Sequence, residues 1–138
     1  MQERTKPIIF SAFRENGDMK GWITFETLYE YRGGGFDTST GIYEVPKDGF
    51  YIFGLRASSG AGQSEEGEEE LYWTEINFYK NNEVYGTVVY DGNVKDHHNN
   101  LGTTWVEDLK KGDVIRLKVE EGTVAGYLFW WGFRIFEL

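Results

Sequence analysis

Cysteine is absent from all 138 residues. That excludes thiol nucleophiles, zinc–thiolate sites and disulfide staples. The fold must then rest on its core, and a chain of this length can bury one. Proline is scarce at 2 residues against 18 glycines, a balance that suits many tight turns. Basic charge is also short: 14 Lys and Arg stand against 23 Asp and Glu, giving a net charge of -9. A nucleic-acid binder needs a basic surface, so the charge balance argues against that class. Docking on anionic lipid is disfavoured for the same reason. No apolar run reaches the length of a membrane span, and residues 1–6 are too polar for a signal peptide. The only histidines are His97 and His98, adjacent in a polar turn. No nucleophile elbow, phosphate-cradling glycine loop or dinucleotide fingerprint occurs, so the chain does not read as an enzyme.

What is abundant is aromatic side chain, 17% of residues, enough to build both a core and an interface from rings. These rings recur with the period of β-strands. Ile8, Phe10 and Ala12 share one face of a first strand, and Ile9, Ser11 and Phe13 share the other. From Phe50 to Leu55 both faces are again apolar: Phe50 and Ile52 point one way, Tyr51, Phe53 and Leu55 the other. Near the end, Leu128, Trp130 and Phe136 oppose Phe129, Trp131, Phe133 and Ile135. By contrast, Leu71 to Tyr90 and Val114 to Val119 tend to carry one polar face. Thr38 to Gly41, Pro46 to Gly49, and Asn81 with Asn82 mark turns, and Arg32 to Gly35 reads as a flexible link. No helix, repeat or heptad pattern is present.

Two packed sheets follow, a sandwich, in one domain spanning 1–138. One sheet is wet outside. The other carries an outer apolar face too large to leave exposed on a single chain, so self-association is expected. Phe10, Phe50, Tyr51, Phe53, Trp130, Trp131 and Phe133 are the residues expected in the core or that interface.

Candidate ligand contacts are of three kinds. Glu65, Glu66 and Glu68 belong to a long acidic loop between Ala57 and Glu70, suited to a basic partner or to cations but equally to plain solvation. Trp73 and Tyr79 are read as outward rings, with Trp105 beside polar Thr103 and Thr104, and such rings could stack on sugars. His97 and His98 would give a pH-sensitive contact. The stretch Tyr90 to Asn100 is rich in the oxygens that calcium takes as ligands.

The register of Phe25, Phe36, Tyr43, Gly49, Tyr51 and Phe53 resembles the centre of the complement C1q head domain, a relative of the tumour necrosis factor fold. Three positions depart from that pattern: Tyr31 stands where the family has Asn or Asp, Tyr43 where it usually has Phe, and Leu55 where it has Phe or Tyr. The resemblance continues through Leu109 to Leu117 and resumes at Trp130 to Ile135, where Arg134 replaces an apolar residue. It implies an all-β, two-sheet jelly-roll sandwich assembled as a homotrimer. It also implies secretion and non-catalytic recognition of a protein, glycan or microbial-surface ligand, as in innate immunity, by a stand-alone or excised head. A trimerising knob on a collagen-like stalk and a carbohydrate-active jelly roll are the rival roles. Some relatives hold calcium in the loop after an equivalent Tyr; here Asp91 matches the first ligand position, and Asn99 stands where a second carboxylate is usual.

Overall fold

The structure, a computed structural model, describes residues 6–15, 19–59, 72–92 and 100–136. Among the described residues ten strands form: β1 (Ile9–Glu15), β2 (Met19–Trp22), β3 (Thr27–Arg32), β4 (Phe36–Asp37), β5 (Ile42–Glu44), β6 (Gly49–Ser59), β7 (Tyr72–Lys80), β8 (Glu83–Gly92), β9 (Asn100–Leu109) and β10 (Val114–Phe136). All pairings are antiparallel.

The two layers are joined because β10 belongs to both. Its first part pairs with β5 and β7, while its later part, from 128 onward, lies between β1 and β6. One layer therefore runs β3-β1-β10-β6-β9, and the other holds β4, β5, β10, β7 and β8. Strand β2 follows the corner, with Trp22 opposite Lys118 and Met19 opposite Val124. The segments around 114–119 and 127–136, which the periodicity separates, are thus one strand that changes layers. Its apolar face stays inward through the corner, which is why the pattern breaks and resumes.

Between the layers sits a ring-built core. Trp130 lies at its centre, stacked on Phe53 at 5.3 Å between centroids and within 6.2 Å of Phe10, Phe78 and Trp105. Phe10, Tyr51, Phe53 and Trp130 are fully buried, so these four expected residues belong to the core of the single chain. Each such side chain contributes roughly 1.5–3 kcal/mol by leaving water, and tilted ring pairs add about 0.5–1.5 kcal/mol.

Turn chemistry agrees with the sequence at Asn81 and Asn82, whose φ values of 50° and 67° make the two-residue hairpin between β7 and β8. The glycines after Arg32 differ from the expected loose link. Gly33 takes φ 90°, and a Cβ there would lie 2.9 Å from Ile8 Cγ1, so the segment is pressed against the start of the first strand.

Candidate assembly and recognition surfaces

The strand register builds the outer face of the first layer row by row. Val106, Ile52, Phe133 and Ile9 are directly opposite one another across β9, β6, β10 and β1. Facing residues in such rows point to the same side and touch. A second apolar group joins this row: Phe13 packs on Phe129 at 4.6 Å between ring centroids, and Tyr29 lies 5.8 Å from Phe13. In the middle, the Trp131 ring lies flat over Gly54, whose missing side chain leaves the space it fills. Phe50, Trp131 and Phe133 thus belong to the outer face, apart from the four core residues. Val106 is 61% exposed and Tyr29 equally so. Along one edge of the sandwich β8 lies against β9. There Val84, Tyr85 and Val89 are exposed on a strand that, among the described residues, pairs only with β7.

The outer face of the second layer is organised by Trp22. The Arg116 guanidinium sits 3.9 Å above its ring, and Lys118 Nζ lies 5.1 Å from the same centroid. Tyr79 meets Trp22 edge-on at 4.8 Å and donates its hydroxyl to Glu120 Oε1. That bond holds the Glu120 carboxyl below its ordinary range, with the charge of Lys118 acting the same way, and the same bond, followed by burial, pushes the Tyr79 hydroxyl up. Tyr79 is therefore outward, as the alternation implies, with its ring and hydroxyl both engaged by neighbours. Asn77, on the same side, is buried and accepts a 2.7 Å bond from Thr87 Oγ1.

Trp105 departs from expectation. It points inward, stacked on Phe78 at 4.9 Å and seated over Gly86 of the facing layer. Its polar neighbours Thr103 and Thr104 gave no hint of this, because the cover comes from β7 and β8. It plugs the sandwich edge and is no surface platform. Two positions along, Glu107 shares that inward side, and burial pushes its carboxyl above the ordinary range, with Lys80 acting in the opposite direction. A carboxyl whose pKa is raised by folding costs stability as pH climbs from its ordinary 4.5 through the raised value. Glu107→Gln should therefore melt higher than the parent at neutral pH, by roughly 1–3 °C for a domain of this size. The gap should close near pH 4; thermal scans across pH check this, and a constant gap would assign the change to something other than this ionisation.

Of the remaining candidates, Glu65, Glu66, Glu68, His97, His98 and Asn99 lie outside the described residues, as do the side chains of Trp73 and Asp91. Trp73 and Asp91 are directly opposite one another in the β7–β8 ladder, which puts both backbones at the same end of the second layer. Among the described residues no group of three or more His, Cys, Asp or Glu could hold a metal ion. A feature that sequence reasoning missed is a groove at the opposite end of the chain's long strands. It has a volume of about 430 Å³ and is lined by Lys6, Pro7, Ile8, Arg32, Gly33 and Lys47.

The C1q domain profile matches residues 9–129. The chain belongs to the C1q domain family. Among solved structures, the globular domain of zebrafish complement 1qA protein superposes with a TM-score of 0.73 at 19% identity, covering 96% of this chain and 100% of that one. Murine APRIL at pH 5.0 gives 0.69 at 12% identity, covering 94% and 100%. The Eiger TNF of S. frugiperda gives 0.64 at 13% identity, covering 96% and 94%. At these identities the likeness speaks for the fold, the two-sheet jelly roll expected from the aromatic register. A search of curated protein sequences returned no match. In this C1q domain, Arg134 takes an inward register position beside Tyr51. Its guanidinium reaches past the core to the Asp48 carbonyl at 3.3 Å. Among the described residues no helix is long and apolar enough to cross a membrane.

Proposed function

We propose that this C1q domain is a secreted, non-catalytic recognition head that works as a homotrimer and binds a protein, glycan or microbial-surface ligand. The observation that carries the reading is the apolar row Val106, Ile52, Phe133 and Ile9, extended by Phe13, Phe129 and Trp131 over the outer face of one layer. A face of this kind is covered in a soluble protein. The exposed apolar edge at Val84, Tyr85 and Val89 suits that role. An edge of one chain against the face of the next is a head-to-tail contact, and such contacts form a ring when the rotation from chain to chain closes. The number three comes from the C1q resemblance. Three linked copies would raise weak single contacts by avidity, on the order of 10²–10⁴-fold.

An array of glycans, microbial surfaces and extracellular proteins tests the recognition role. The native protein should bind at least one class reproducibly. A variant reduced to single chains should lose most of that signal while retaining the fold. Silence across all three classes by an intact assembly would count against recognition as the function.

Calcium forms part of the same proposal, at Asp91 and Asn99. One carboxylate and one amide leave most of the 6–8 oxygens that calcium takes to backbone and water, so the donor set suits an affinity in the ~10⁻⁴–10⁻³ M class. Millimolar calcium should raise the melting midpoint of the native protein and leave Asp91→Ala unchanged, with magnesium doing less. Identical melting in calcium and in chelator would remove the site.

A further inference from the structure

The basic groove stands out against a chain of net charge -9. Three of its six lining residues are cations, Lys6, Arg32 and Lys47, and no carboxylate is among them. Three separate backbone devices bring these cations together. Gly33, at φ 90°, allows the end of β3 to press on Ile8, which sets Arg32 beside the first strand. The Arg134 N–H donates to the Ile8 carbonyl at 3.1 Å, tying the segment that carries Lys6 to the end of β10. The buried Tyr51 ring donates its hydroxyl to the Lys47 carbonyl at 2.7 Å, which fixes the turn before β6.

Among the described residues the nearby acidic groups are open to solvent or engaged by other partners. Glu30 is 4.0 Å from Arg32 Nε, and both side chains are more than 60% exposed, so the pair is weak and screened. The Asp48 carboxylate accepts the Lys111 N–H at 2.8 Å, and its carbonyl accepts from Arg134. Among the described residues Lys6 and Lys47 take part in no ion pair.

We propose that this groove binds an extended acidic peptide. The cations lie on three different segments around an apolar floor of Pro7 and Ile8. A single phosphate would need donors converging on one point. Carboxylates spaced along a strand, with an apolar side chain between them, suit cations carried by three separate segments beside Pro7 and Ile8. Among the described residues the adjacent β3 pairs on one side only, with β1, so its outer edge has backbone groups that an extended segment can meet. This proposal does not rest on the trimer or on the recognition array.

The test uses the full chain and a fluorescein-labelled pentapeptide of alternating glutamate and leucine, read by fluorescence anisotropy. Saturable binding is expected, weakening as salt is raised. Lys47→Glu and Arg32→Glu should each weaken it about tenfold or more, the loss expected for a charge-assisted contact. Lys20→Glu, on β2 and outside the groove lining, should leave it unchanged. A folded Lys47→Glu protein that binds as well as the parent would overturn the proposal. So would equal binding of a lysine–leucine peptide, or displacement of the peptide by an equimolar amount of inorganic phosphate, which would mark a plain anion site.

Discussion

Ile52→Glu should leave each chain folded and reduce the assembly to single chains. Ile52 is on the outward side of β6, between Val106 on β9 and Phe133 on β10, and is partly open to solvent in the isolated chain. A glutamate there can reach water in a monomer, so the fold loses little. In a ring closed through this face, the same charge would be buried without a partner at every contact. An uncompensated buried charge costs about 3–5 kcal/mol, and a symmetric assembly incurs it once per interface. Light scattering on the variant should give the 16.0 kDa of one chain, with an unchanged far-ultraviolet circular dichroism spectrum. If the variant keeps the parent's mass, this face is not the interface.

The second large effect separates two adjacent tryptophans. Trp130 is fully buried among Phe10, Phe53, Phe78 and Trp105. Trp130→Ala leaves a cavity that these rigid rings cannot refill, at a cost of about 3–5 kcal/mol. For a domain of this length that is a fall of roughly 10–20 °C in melting midpoint. Trp131 faces the other way, over Gly54 on the outer surface. Its replacement by alanine opens a shallow groove and no internal void. Trp131→Ala should therefore cost the single chain little and weaken association instead. Melting and mass measured on both variants check this contrast; a large loss of fold in Trp131→Ala with no change in association would contradict the assignment of faces.

How far the chain could be read in advance follows from where each residue finds its neighbours. The inward set Phe10, Tyr51, Phe53 and Trp130 was legible, because strict alternation sorts a strand into two faces. The hairpin at Asn81 and Asn82 was legible from local backbone preference. Trp105 was not: its cover is supplied by Phe78 and Gly86, far along the chain, while its immediate neighbours are polar. Arg32 to Gly35 looked loose for a related reason, since the contact with Ile8 that holds Gly33 is not local. The basic groove was invisible because Lys6, Arg32 and Lys47 are scattered over the sequence and meet only when the ends of β1 and β3 and the turn before β6 converge. Glu107 shows the same limit. One acidic residue in a strand reads as a solvated position until β7 places Lys80 near it. The family register helped most where rings repeat at fixed spacing, and least where charge is assembled from distant segments.

The central claim is that the outer apolar face holds chains together, and the mass of the native protein in solution tests it most directly. Size-exclusion chromatography with multi-angle light scattering at micromolar concentration should return three times the 16.0 kDa chain mass. A homogeneous species of one chain mass at that concentration would contradict the account.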